Sequence, residues 1–504
     1  MKNIRVIARL DVKGPNVVKG MQFEALRVMG KPSDLAKEYF LQGADELLYL
    51  DIVASLYRRD NLLHIVREAS KSIFVPFTAG GGVRSVEDIR DLLQAGAEKV
   101  AINTAATKRP GLIKEAAQRF GSQCIVVSIE AKKSKRGGWE AFTDNGRQAT
   151  GLDAIAWAKK VESLGAGEIL LTSVDREGTQ RGLDTELIHA VSDAVSIPVI
   201  ASGGASSVEE VASDIAASSA DAVAIASILH YGKTSIGAIK DALAGKKVGI
   251  RPLTKKERQH VPTIQEETDV FDVNRYTKQQ FKNTVSIDPH EGEHFAVPEG
   301  DPKTAEITIV DYGINNVRSV AMAFESIGAR VAIAKKPSDV RDARRLVLPG
   351  VGAFGDGMAA LSKRKLVEPL KEAVRRGTPL LGICLGMQLL FSESEEFGLH
   401  KGLDLIQGRV ISFPNPKKIS LPDYKLPHIG WAKLLPSGDS VYFVHSFYPV
   451  PEKKNGTMES AVYGGITYPA TVKQENVIGM QFHPEKSGER GLARLKEFCK
   501  AKEA

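Results

Sequence analysis

The stretch VPFTAGGGVRSVEDIRDLLQAGAEKVAINTA, residues 75–105, is repeated in divergent form as IPVIASGGASSVEEVASDIAASSADAVAIAS at residues 197–227. Each copy consists of a β-branched strand, a glycine pair, a segment with helical spacing and a second strand. The glycine pairs Gly81–Gly82 and Gly203–Gly204 fall at the same place in the two copies. The repeat therefore predicts a fold made of two similar halves.

Short apolar runs alternate with helical segments from residue 1 to about residue 245. Eight of these runs are rich in β-branched residues: RVIARLDV, ELLYLDIV, FVPFTAG, KVAINTA, CIVVSIEA, EILLTSV, IPVIASG and DAVAIASI. Eight strand–helix units in this length are typical of a (β/α)8 barrel, also called a TIM barrel. A doubly wound open sheet is the alternative, but two four-unit halves closing on each other explain the repeat. We therefore predict an α/β protein with a TIM barrel over residues 1–245.

The composition argues against several classes of protein. Hydrophobic residues make up 43% of the 504-residue chain and charged residues 26%, as in ordinary globular proteins. No apolar run reaches the ~18–20 residues that span a bilayer, and the N-terminal stretch lacks the features of a secretory signal. Only three scattered cysteines occur, which fits a reducing compartment. Because the net charge of +7 includes no long basic run, we expect a cytoplasmic protein without nucleic-acid or membrane partners.

The rest of the chain divides into a polar segment and a second α/β pattern. Residues 246–305 have little periodicity and are predicted to be a partly ordered linker, since such a length is unusual for a simple tether. Its apolar residues are candidates for packing on a neighbouring surface: Val270, Phe271, Val273, Tyr276 and Phe281. Residues 306–504 contain strand-like runs that end in glycine-rich turns, and they predict a second domain.

A cysteine in the second domain lies at a predicted sharp turn between a strand and a helix. In TPLLGICLGMQLLF, Gly382 and Gly386 flank Cys384 in the pattern G-x-C-x-G, the thiol counterpart of a nucleophile elbow. The helix that follows should favour the thiolate form of the cysteine. A structural cysteine at a strand end is the alternative reading of this motif alone.

Two further motifs supply the partners that a nucleophilic cysteine needs. VIGMQFHPEKSG places His483 and Glu485 after another short strand, so a base and a carboxylate to orient it are present. LPGVGAF, at residues 348–354, is a glycine-rich turn whose backbone N–H groups are candidates for an oxyanion hole. Together these motifs closely resemble the class I (triad) glutamine amidotransferases.

The resemblance implies roles for individual residues in the hydrolysis of glutamine. Cys384 would attack the side-chain amide and release ammonia, His483 would act as base and then acid, and Glu485 would orient it. Gly350 and Val351 would line the oxyanion hole, and Gln388 and Ser446 would help to hold glutamine. Within the class, DYGINNVRSV, PHIGW and YFVHSFY resemble the glutaminase of imidazole glycerol phosphate synthase.

Polar residues follow the predicted strands of the barrel, where the active sites of such barrels lie. Asp11 and Glu130 end strands in the two halves, and paired carboxylates suit general acid–base catalysis. Each half also has a glycine pair together with Thr104 or Ser227, groups that commonly cradle a phosphate. Two such cradles predict a long substrate with a phosphate at each end.

The barrel half resembles the cyclase of imidazole glycerol phosphate synthase over nearly all of residues 1–245. The matching stretches are LDVKGPNVVKG, FTAGGGVRSVEDI, AINTAA, TSVDREGTQRGLD, IASGGA and AIASILHYG. The resemblance implies that ammonia reacts with a bisphosphorylated ribulosyl formimino-aminoimidazole carboxamide ribotide. The products would be imidazole glycerol phosphate and aminoimidazole carboxamide ribotide, in histidine biosynthesis. No metal or organic cofactor is implied.

The same resemblance implies site residues in the barrel. Asp11 would be the principal acid–base residue and Glu130 its partner. The implied substrate- and phosphate-binding residues are Lys19, Asp51, Gly82, Asn103, Thr104, Thr172, Gly178, Gly204 and Ser227. Residues near the strand starts would form a salt-bridged ammonia gate at the opposite mouth: Arg5, Glu46, Lys99 and Glu168. Ordinary surface ion pairs are the alternative for these four. The glutaminase would dock on this mouth through Trp431.

Three departures from the family pattern lie close to the expected substrate: Arg9, Glu130 and Glu177. They leave open a paralogous amidotransferase that delivers ammonia to a different phosphorylated or sugar-linked acceptor. A related sugar-phosphate isomerase and a non-catalytic barrel that only activates the glutaminase are further alternatives. The barrel also precedes the glutaminase here, whereas familiar single-chain versions have the opposite order.

Overall fold

The first domain of the computed structural model is a closed barrel of eight parallel strands. The structure describes residues 3–54, 61–261, 300–313, 316–419, 421, 424–453 and 456–500. The barrel strands are hydrogen-bonded in the order β10-β11-β12-β1-β4-β5-β6-β7, and β10 pairs with β7 to close the ring. The TIM barrel predicted from the repeat is thereby confirmed, and the alternative prediction of a doubly wound open sheet is wrong.

The elements of this domain have the following bounds. The strands are β1 (Asn3–Lys13), β2 (Asn16–Met21), β3 (Glu24–Gly30), β4 (Glu46–Asp51), β5 (Phe77–Gly80), β6 (Lys99–Ile102), β7 (Ile125–Lys133), β8 (Trp139–Thr143), β9 (Gln148–Asp153), β10 (Glu168–Ser173), β11 (Val199–Ser202), β12 (Ala222–Ile225) and β13 (Gly249–Ile250). The helices are α1 (Pro32–Leu41), α2 (Asn61–Ala69), α3 (Val86–Ala95), α4 (Thr104–Lys108), α5 (Gly111–Phe120), α6 (Ala154–Ser163), α7 (Thr185–Ser192), α8 (Val208–Ala217), α9 (Ser227–His230), α10 (Ile236–Gly245) and α11 (Lys255–Gln259).

Local sequence explains why the two repeat copies fold alike. Helix α3 begins after Ser85, whose hydroxyl accepts a hydrogen bond from the Asp88 backbone N–H, and α8 begins after Ser207 in the same way. Before the strand that follows each helix, Glu98 or Asp221 accepts a hydrogen bond from a backbone N–H of the preceding strand. These contacts fix each strand–helix–strand unit in the same geometry.

Two hairpins cover the end of the barrel where the strands finish, and the sequence patterns did not predict them. β2 and β3 pair after β1, and β8 and β9 pair after β7, so they occupy equivalent places in the two halves. Along β3 and β9 the side chains are mostly exposed or only partly buried, so these strands lack the continuous apolar runs that mark the barrel strands.

The second domain is built on a seven-stranded sheet in the order β15-β14-β16-β17-β26-β25-β24. Its strands are β14 (Ile307–Val310), β15 (Val331–Ala334), β16 (Leu346–Leu348), β17 (Leu380–Ile383), β18 (Phe391–Ser394), β19 (His400–Lys401), β20 (Ile406–Ser412), β21 (His428–Lys433), β22 (Ser440–His445), β23 (Phe447–Pro451), β24 (Thr457–Tyr463), β25 (Ile466–Gln474) and β26 (Val477–Met480). Its helices are α12 (Val317–Ser326), α13 (Pro337–Arg341), α14 (Phe354–Lys363), α15 (Val367–Arg375), α16 (Leu385–Leu389) and α17 (Gly488–Lys500).

The predicted linker is ordered where it leaves the barrel. Strand β13 pairs with the start of β1, and α11 begins with a capping box between Thr254 and Glu257. Residues 262–299 lie outside the described part of the chain, and so do the five apolar residues expected to pack on a neighbour. Among the helices that the structure describes, none has the length and apolar character needed to cross a membrane.

Candidate functional site

The cysteine motif forms a strained turn at the end of β17. Cys384 has φ 53° and ψ −110°, a conformation that costs a residue with a side chain about 1–3 kcal/mol. A Cβ on Gly386 would lie 1.7 Å from the Leu348 carbonyl oxygen, so only glycine fits behind the cysteine. The Cys384 backbone N–H donates to the Met480 carbonyl at 2.7 Å, which ties the turn to β26. This geometry is that of a nucleophile elbow.

The histidine and glutamate of the late motif lie beside this cysteine. His483 Nδ1 and Glu485 Oε1 are 2.7 Å apart, and both side chains are 1% exposed. Burial lowers the pKa of His483, but the neighbouring Cys384 and Glu485 outweigh it and raise this pKa well above its usual value. Gln481 Nε2 lies 3.8 Å from Cys384 Sγ. The arrangement can hold a thiolate–imidazolium pair.

The glycine-rich turn lies against the elbow and reaches the barrel. A Cβ on Gly350 would meet the Leu385 side chain and the Gly386 backbone nitrogen within 3 Å. Tyr312 Oη donates to the Pro349 carbonyl at 2.8 Å and holds the turn. Val351 packs against the hydrophobic core of the barrel. The turn is therefore close enough to Cys384 to serve as an oxyanion hole.

The residues expected to hold glutamine lie around the same turn and strand ends. Gln388 is buried on α16, and its amide donates to the Phe447 carbonyl and to Gln481 Oε1. Ser446 lies between β22 and β23, and its carbonyl accepts from the Phe413 N–H. Glu396, which no sequence motif indicated, is buried and accepts the Phe354 N–H at the start of α14.

The second domain docks on the end of the barrel where the strands begin. Trp431 Nε1 donates to the Asp45 carbonyl at 3.0 Å, and Asn3 Nδ2 donates to the Trp431 carbonyl at 3.0 Å. The Arg251 guanidinium lies 4.6 Å above the Trp431 ring. Ile429, Trp431, Tyr442 and Val444 of β21 and β22 are part of the barrel's own core. The two domains therefore share a continuous apolar interface.

A buried ion pair crosses this interface next to the triad. Lys486 Nζ lies 3.0 Å from Glu98 Oε1, and both side chains are 1% exposed. Asn316 Nδ2 donates to the same carboxylate oxygen at 3.0 Å. Since Lys486 directly follows Glu485, the pair fixes the turn that carries the triad carboxylate onto the floor of the barrel.

The four expected gate residues form a closed ring of ion pairs, which we call the charged ring. Arg5 binds Glu46 at 2.7 Å and also binds Glu168, while Lys99 binds Glu46 at 2.7 Å and Glu168 at 2.5 Å. None of the four side chains is more than 1% exposed. They are therefore not surface ion pairs but a buried plug across the barrel axis.

Tyr442, which the sequence did not single out, connects the triad to the charged ring. Its backbone carbonyl accepts a hydrogen bond from the His483 N–H at 3.0 Å. Its buried phenol lies within electrostatic reach of Arg5, Glu46 and Glu168, and burial raises its pKa well above the usual value. Among the residues that the structure describes, the hydroxyl has no hydrogen-bond partner. One residue thus spans the distance from the cysteine site to the ring.

An apolar layer fills the barrel directly above the charged ring. Its members are Ile7, Leu48, Ala101, Val126, Leu170, Ile200, Ala222 and Ala224. Along β1, side chains at alternate positions point inward, so Arg5, Ile7, Arg9 and Asp11 follow one another up the axis. The interior therefore changes from charged to apolar and back to charged between the two ends.

Asp11 lies at the top of this axis and is held by two cations. Arg9 Nε donates to Asp11 Oδ1 at 2.8 Å, and Lys19 Nζ donates to Oδ2 at 3.1 Å. Lys19 also binds Glu177. Burial alone would raise the pKa of Asp11, but Arg9 and Lys19 outweigh it and lower this pKa to about 2. Asp11 is thus a carboxylate throughout the physiological pH range.

Glu130 occupies a different environment at the end of β7. Its Oε2 accepts the Gly146 N–H at 2.7 Å, from the turn of the β8–β9 hairpin. Burial raises the pKa of Glu130 to about 7, and the hydrogen bond from Gly146 only partly opposes this. The two carboxyl groups therefore differ in charge at neutral pH, which is the arrangement that acid–base catalysis uses. We call the space around them the cup.

The two expected phosphate cradles lie at the rim of the cup. Gly82 and Gly204 have φ of 74° and 104°, and a Cβ on Gly204 would lie 2.1 Å from the Gly182 carbonyl. Ser227 begins α9 and Thr104 begins α4, so each hydroxyl lies near a helix start. Thr104 Oγ1 also contacts Asp144 at 3.3 Å.

The remaining expected binding residues have partners within the protein. Asp51 Oδ1 accepts the N–H groups of Val53 and Ala54, and thereby caps the loop after β4. Asn103 Nδ2 donates to the Phe142 carbonyl at 3.4 Å. A Cβ on Gly178 would meet the Gly20 carbonyl, so this glycine lets the β2–β3 hairpin approach. Thr172 accepts a hydrogen bond from Arg9.

Comparisons with known proteins agree with this division of the chain. Residues 5–235 match the family described as Histidine biosynthesis protein, and residues 308–501 match the family described as Glutamine amidotransferase class-I. The chain is 60% identical over 210 residues to the protein named Imidazole glycerol phosphate synthase subunit HisF from Legionella pneumophila. That match covers 42% of this chain and 99% of the relative.

Proposed function

Since the chain belongs to the imidazole glycerol phosphate synthase family and carries a class I glutamine amidotransferase domain after its barrel, we propose that one polypeptide performs both half-reactions. The enzyme is glutamine-dependent and belongs to histidine biosynthesis. In the proposed reaction, glutamine is hydrolysed at Cys384, and ammonia passes through the barrel to a bisphosphorylated ribulosyl formimino-aminoimidazole carboxamide ribotide. The main support for the proposal is Tyr442, whose carbonyl accepts the His483 N–H and whose phenol lies near the charged ring.

The first half-reaction follows from the triad. The Cys384 thiolate attacks the carboxamide carbon of glutamine, and His483, held by Glu485, gives a proton to the departing ammonia. Water then hydrolyses the thioester with His483 as the base. The turn at Gly350 and Val351 lies beside the elbow, where its backbone can stabilise the oxyanion.

The transfer step needs neutral ammonia to be kept from water, because water near pH 7 would protonate most of it. The charged ring closes the floor of the barrel, so ammonia enters only when one of its ion pairs gives way. The apolar layer above it favours the neutral molecule over ammonium.

The second half-reaction takes place in the cup. Two phosphate cradles at opposite rims hold the ends of the acceptor, with its reacting centre over Asp11 and Glu130. Asp11, ionised throughout, accepts a proton, and Glu130, which titrates near neutrality, donates or accepts one. Ring closure and cleavage then release imidazole glycerol phosphate and aminoimidazole carboxamide ribotide.

The decisive assay supplies the purified protein with glutamine and the ribulosyl bisphosphate substrate and follows glutamate and the imidazole product together. Cys384→Ala should abolish glutamine hydrolysis while an ammonium salt still supports synthesis. Asp11→Asn should abolish synthesis from either nitrogen source. Glutamate formation without imidazole product would instead support a different acceptor. Formation of the imidazole product by the parent, and its loss in Asp11→Asn, would exclude a barrel that acts only as a scaffold.

A further inference from the structure

Arg9 lies across the barrel where the apolar layer ends and the cup begins. It is 2% exposed and follows Ile7 of the apolar layer by one inward-facing position on β1. Its Nη1 donates to Ser202 Oγ at 2.9 Å on β11 and to Thr172 Oγ1 at 3.2 Å on β10. The side chain therefore reaches from β1 past β12 to two further strands.

Arg9 also fixes the groups above it. Its Nε binds Asp11 Oδ1, and its guanidinium lies 5.4 Å from the centre of the Phe23 ring, which the β2–β3 hairpin brings down into the cup. The Arg9 carbonyl lies 3.0 Å from Nε2 of the buried His230. The backbone and the side chain of Arg9 are thus both held by hydrogen bonds. Its positive charge therefore has a fixed position between the apolar layer and the cup.

The chemistry of these contacts suits a neutral nitrogen base. Arginine only donates hydrogen bonds, so the Thr172 and Ser202 oxygens act as acceptors toward it. Each hydroxyl keeps its own proton to donate, and the lone pair of ammonia is an acceptor for it. Ammonium has no lone pair to accept this proton, whereas neutral ammonia has one.

We propose that Arg9, Thr172 and Ser202 form the last station of the ammonia channel, which holds one neutral ammonia molecule below the acceptor and excludes ammonium. This inference rests on the proposed function. It gives Thr172 a role toward ammonia instead of toward a phosphate, and it makes Arg9 a positioning residue of the transfer step. The apolar layer is then bounded by fixed charged side chains at both ends, the charged ring below it and Arg9 above it.

The test measures imidazole product formed per glutamate released, at saturating glutamine and acceptor. Arg9→Met keeps a long side chain in the barrel but removes its charge and donors, and Arg9→Lys keeps the charge. Ser202→Ala removes one hydroxyl with little change in volume, which guards against misfolding of the arginine variants. Arg258→Met, at an exposed helix position whose side chain pairs with Asp241 in the described part of the chain, is the matched control. Circular dichroism and glutamine hydrolysis in the other domain serve as references for correct folding.

We expect the product-to-glutamate ratio to fall about threefold or more in Arg9→Met and less in Ser202→Ala, since small displacements of a reacting group have large kinetic effects. In reactions driven by an ammonium salt, the KM for ammonia should rise while the KM for the acceptor stays unchanged. Arg9→Lys should recover part of the ratio. Arg258→Met should match the parent in every measurement.

Other results would overturn the inference. An unchanged ratio in Arg9→Met and Ser202→Ala excludes the station while leaving the synthase function intact. A rise confined to the acceptor KM makes Arg9 an acceptor-binding residue. An equal loss with glutamine and with the ammonium salt, at unchanged ammonia KM, means that Arg9 acts only through Asp11. If the parent itself transfers no nitrogen to the ribulosyl substrate, the proposed function fails together with the station.

Discussion

Replacing Lys486 with methionine tests whether the domain interface is as closed as the structure indicates. The substitution removes the ammonium group that lies 3.0 Å from Glu98 Oε1 and 4.4 Å from the centre of the Phe77 ring. Among the residues that the structure describes, the buried Glu98 carboxylate then keeps Asn316 and the Phe77 N–H as its partners. Breaking one side of a buried ion pair in this way costs about 3–5 kcal/mol.

The cost should depend on pH in a defined direction. Burial raises the pKa of Glu98 above its ordinary value even in the presence of Lys486. Without the lysine this pKa rises further, so the folded variant binds a proton that the unfolded chain does not bind. Its stability is therefore highest below the ordinary pKa of a glutamate and decreases as pH rises through the raised pKa. The penalty should therefore be smaller at acidic pH than at alkaline pH.

Thermal unfolding measures this penalty. For a domain of this size, about 1 kcal/mol lowers the melting temperature by about 2–4 °C, so a decrease of about 10 °C is expected at pH 8. Lys496→Met makes the same change at an exposed position of α17 and should stay within about 0.5 kcal/mol of the parent. The double variant Lys486→Met with Glu98→Gln should regain much of the loss, because no buried charge is left unpaired.

Three results would refute this reasoning about the interface. A shift in Lys486→Met no larger than that in Lys496→Met means that Glu98 and Lys486 are hydrated. A penalty that grows as pH falls means that Glu98 is not the group left unpaired. If the losses in Lys486→Met and in a single Glu98→Gln variant add up to the loss in the double variant, the two residues do not interact.

Two further predictions concern the cup and the docking surface. Glu130→Gln should lower the rate of synthesis driven by an ammonium salt by about 10²-fold or more, since the glutamine cannot exchange the proton that Glu130 exchanges. The change in this rate with pH near 7 should also disappear. If the pH dependence persists in the variant, another group is responsible for it. Trp431→Ala should destabilise docking by about 3–5 kcal/mol through the lost ring and its contacts with Asp45 and Arg251, and should lower the product-to-glutamate ratio. An unchanged ratio in that variant would show that ammonia transfer does not depend on a sealed interface.

The parts of the fold and site that could be predicted from sequence are those encoded within a few neighbouring residues. The eight barrel strands are continuous apolar runs because both of their faces are buried, and the helices between them begin at caps such as Ser85. The elbow at Cys384 was visible because its strained backbone requires glycines at fixed spacing. These signals do not depend on how distant segments meet.

Contacts between residues far apart in the chain leave no pattern in the neighbouring sequence, so they could not be predicted. Arg9 was noticed only as an unusual residue, because its partners Thr172 and Ser202 are more than 160 residues away. Tyr442 begins the motif YFVHSFY, but no role was predicted for it, because an aromatic residue in an apolar strand usually belongs to a core, and here the core is shared between two domains. Asp51 stays a predicted substrate-binding residue; its Oδ1 also accepts backbone N–H groups of the loop after β4, a role that the strand pattern does not reveal.

The geometry of the barrel is compatible with either order of the two domains. In a (β/α)8 barrel every strand begins at the floor and every helix returns there, so both chain ends lie at the same face. Here Asn3 contacts Trp431 near the start of the chain, and Arg251 stacks on the same ring just after the last barrel helix. A glutaminase attached to either end therefore starts beside its docking surface, and covalent attachment keeps its effective concentration there high. The barrel-first order thus needs no rearrangement of the proposed ammonia route, since the face proposed to receive ammonia is also the face from which the linker departs.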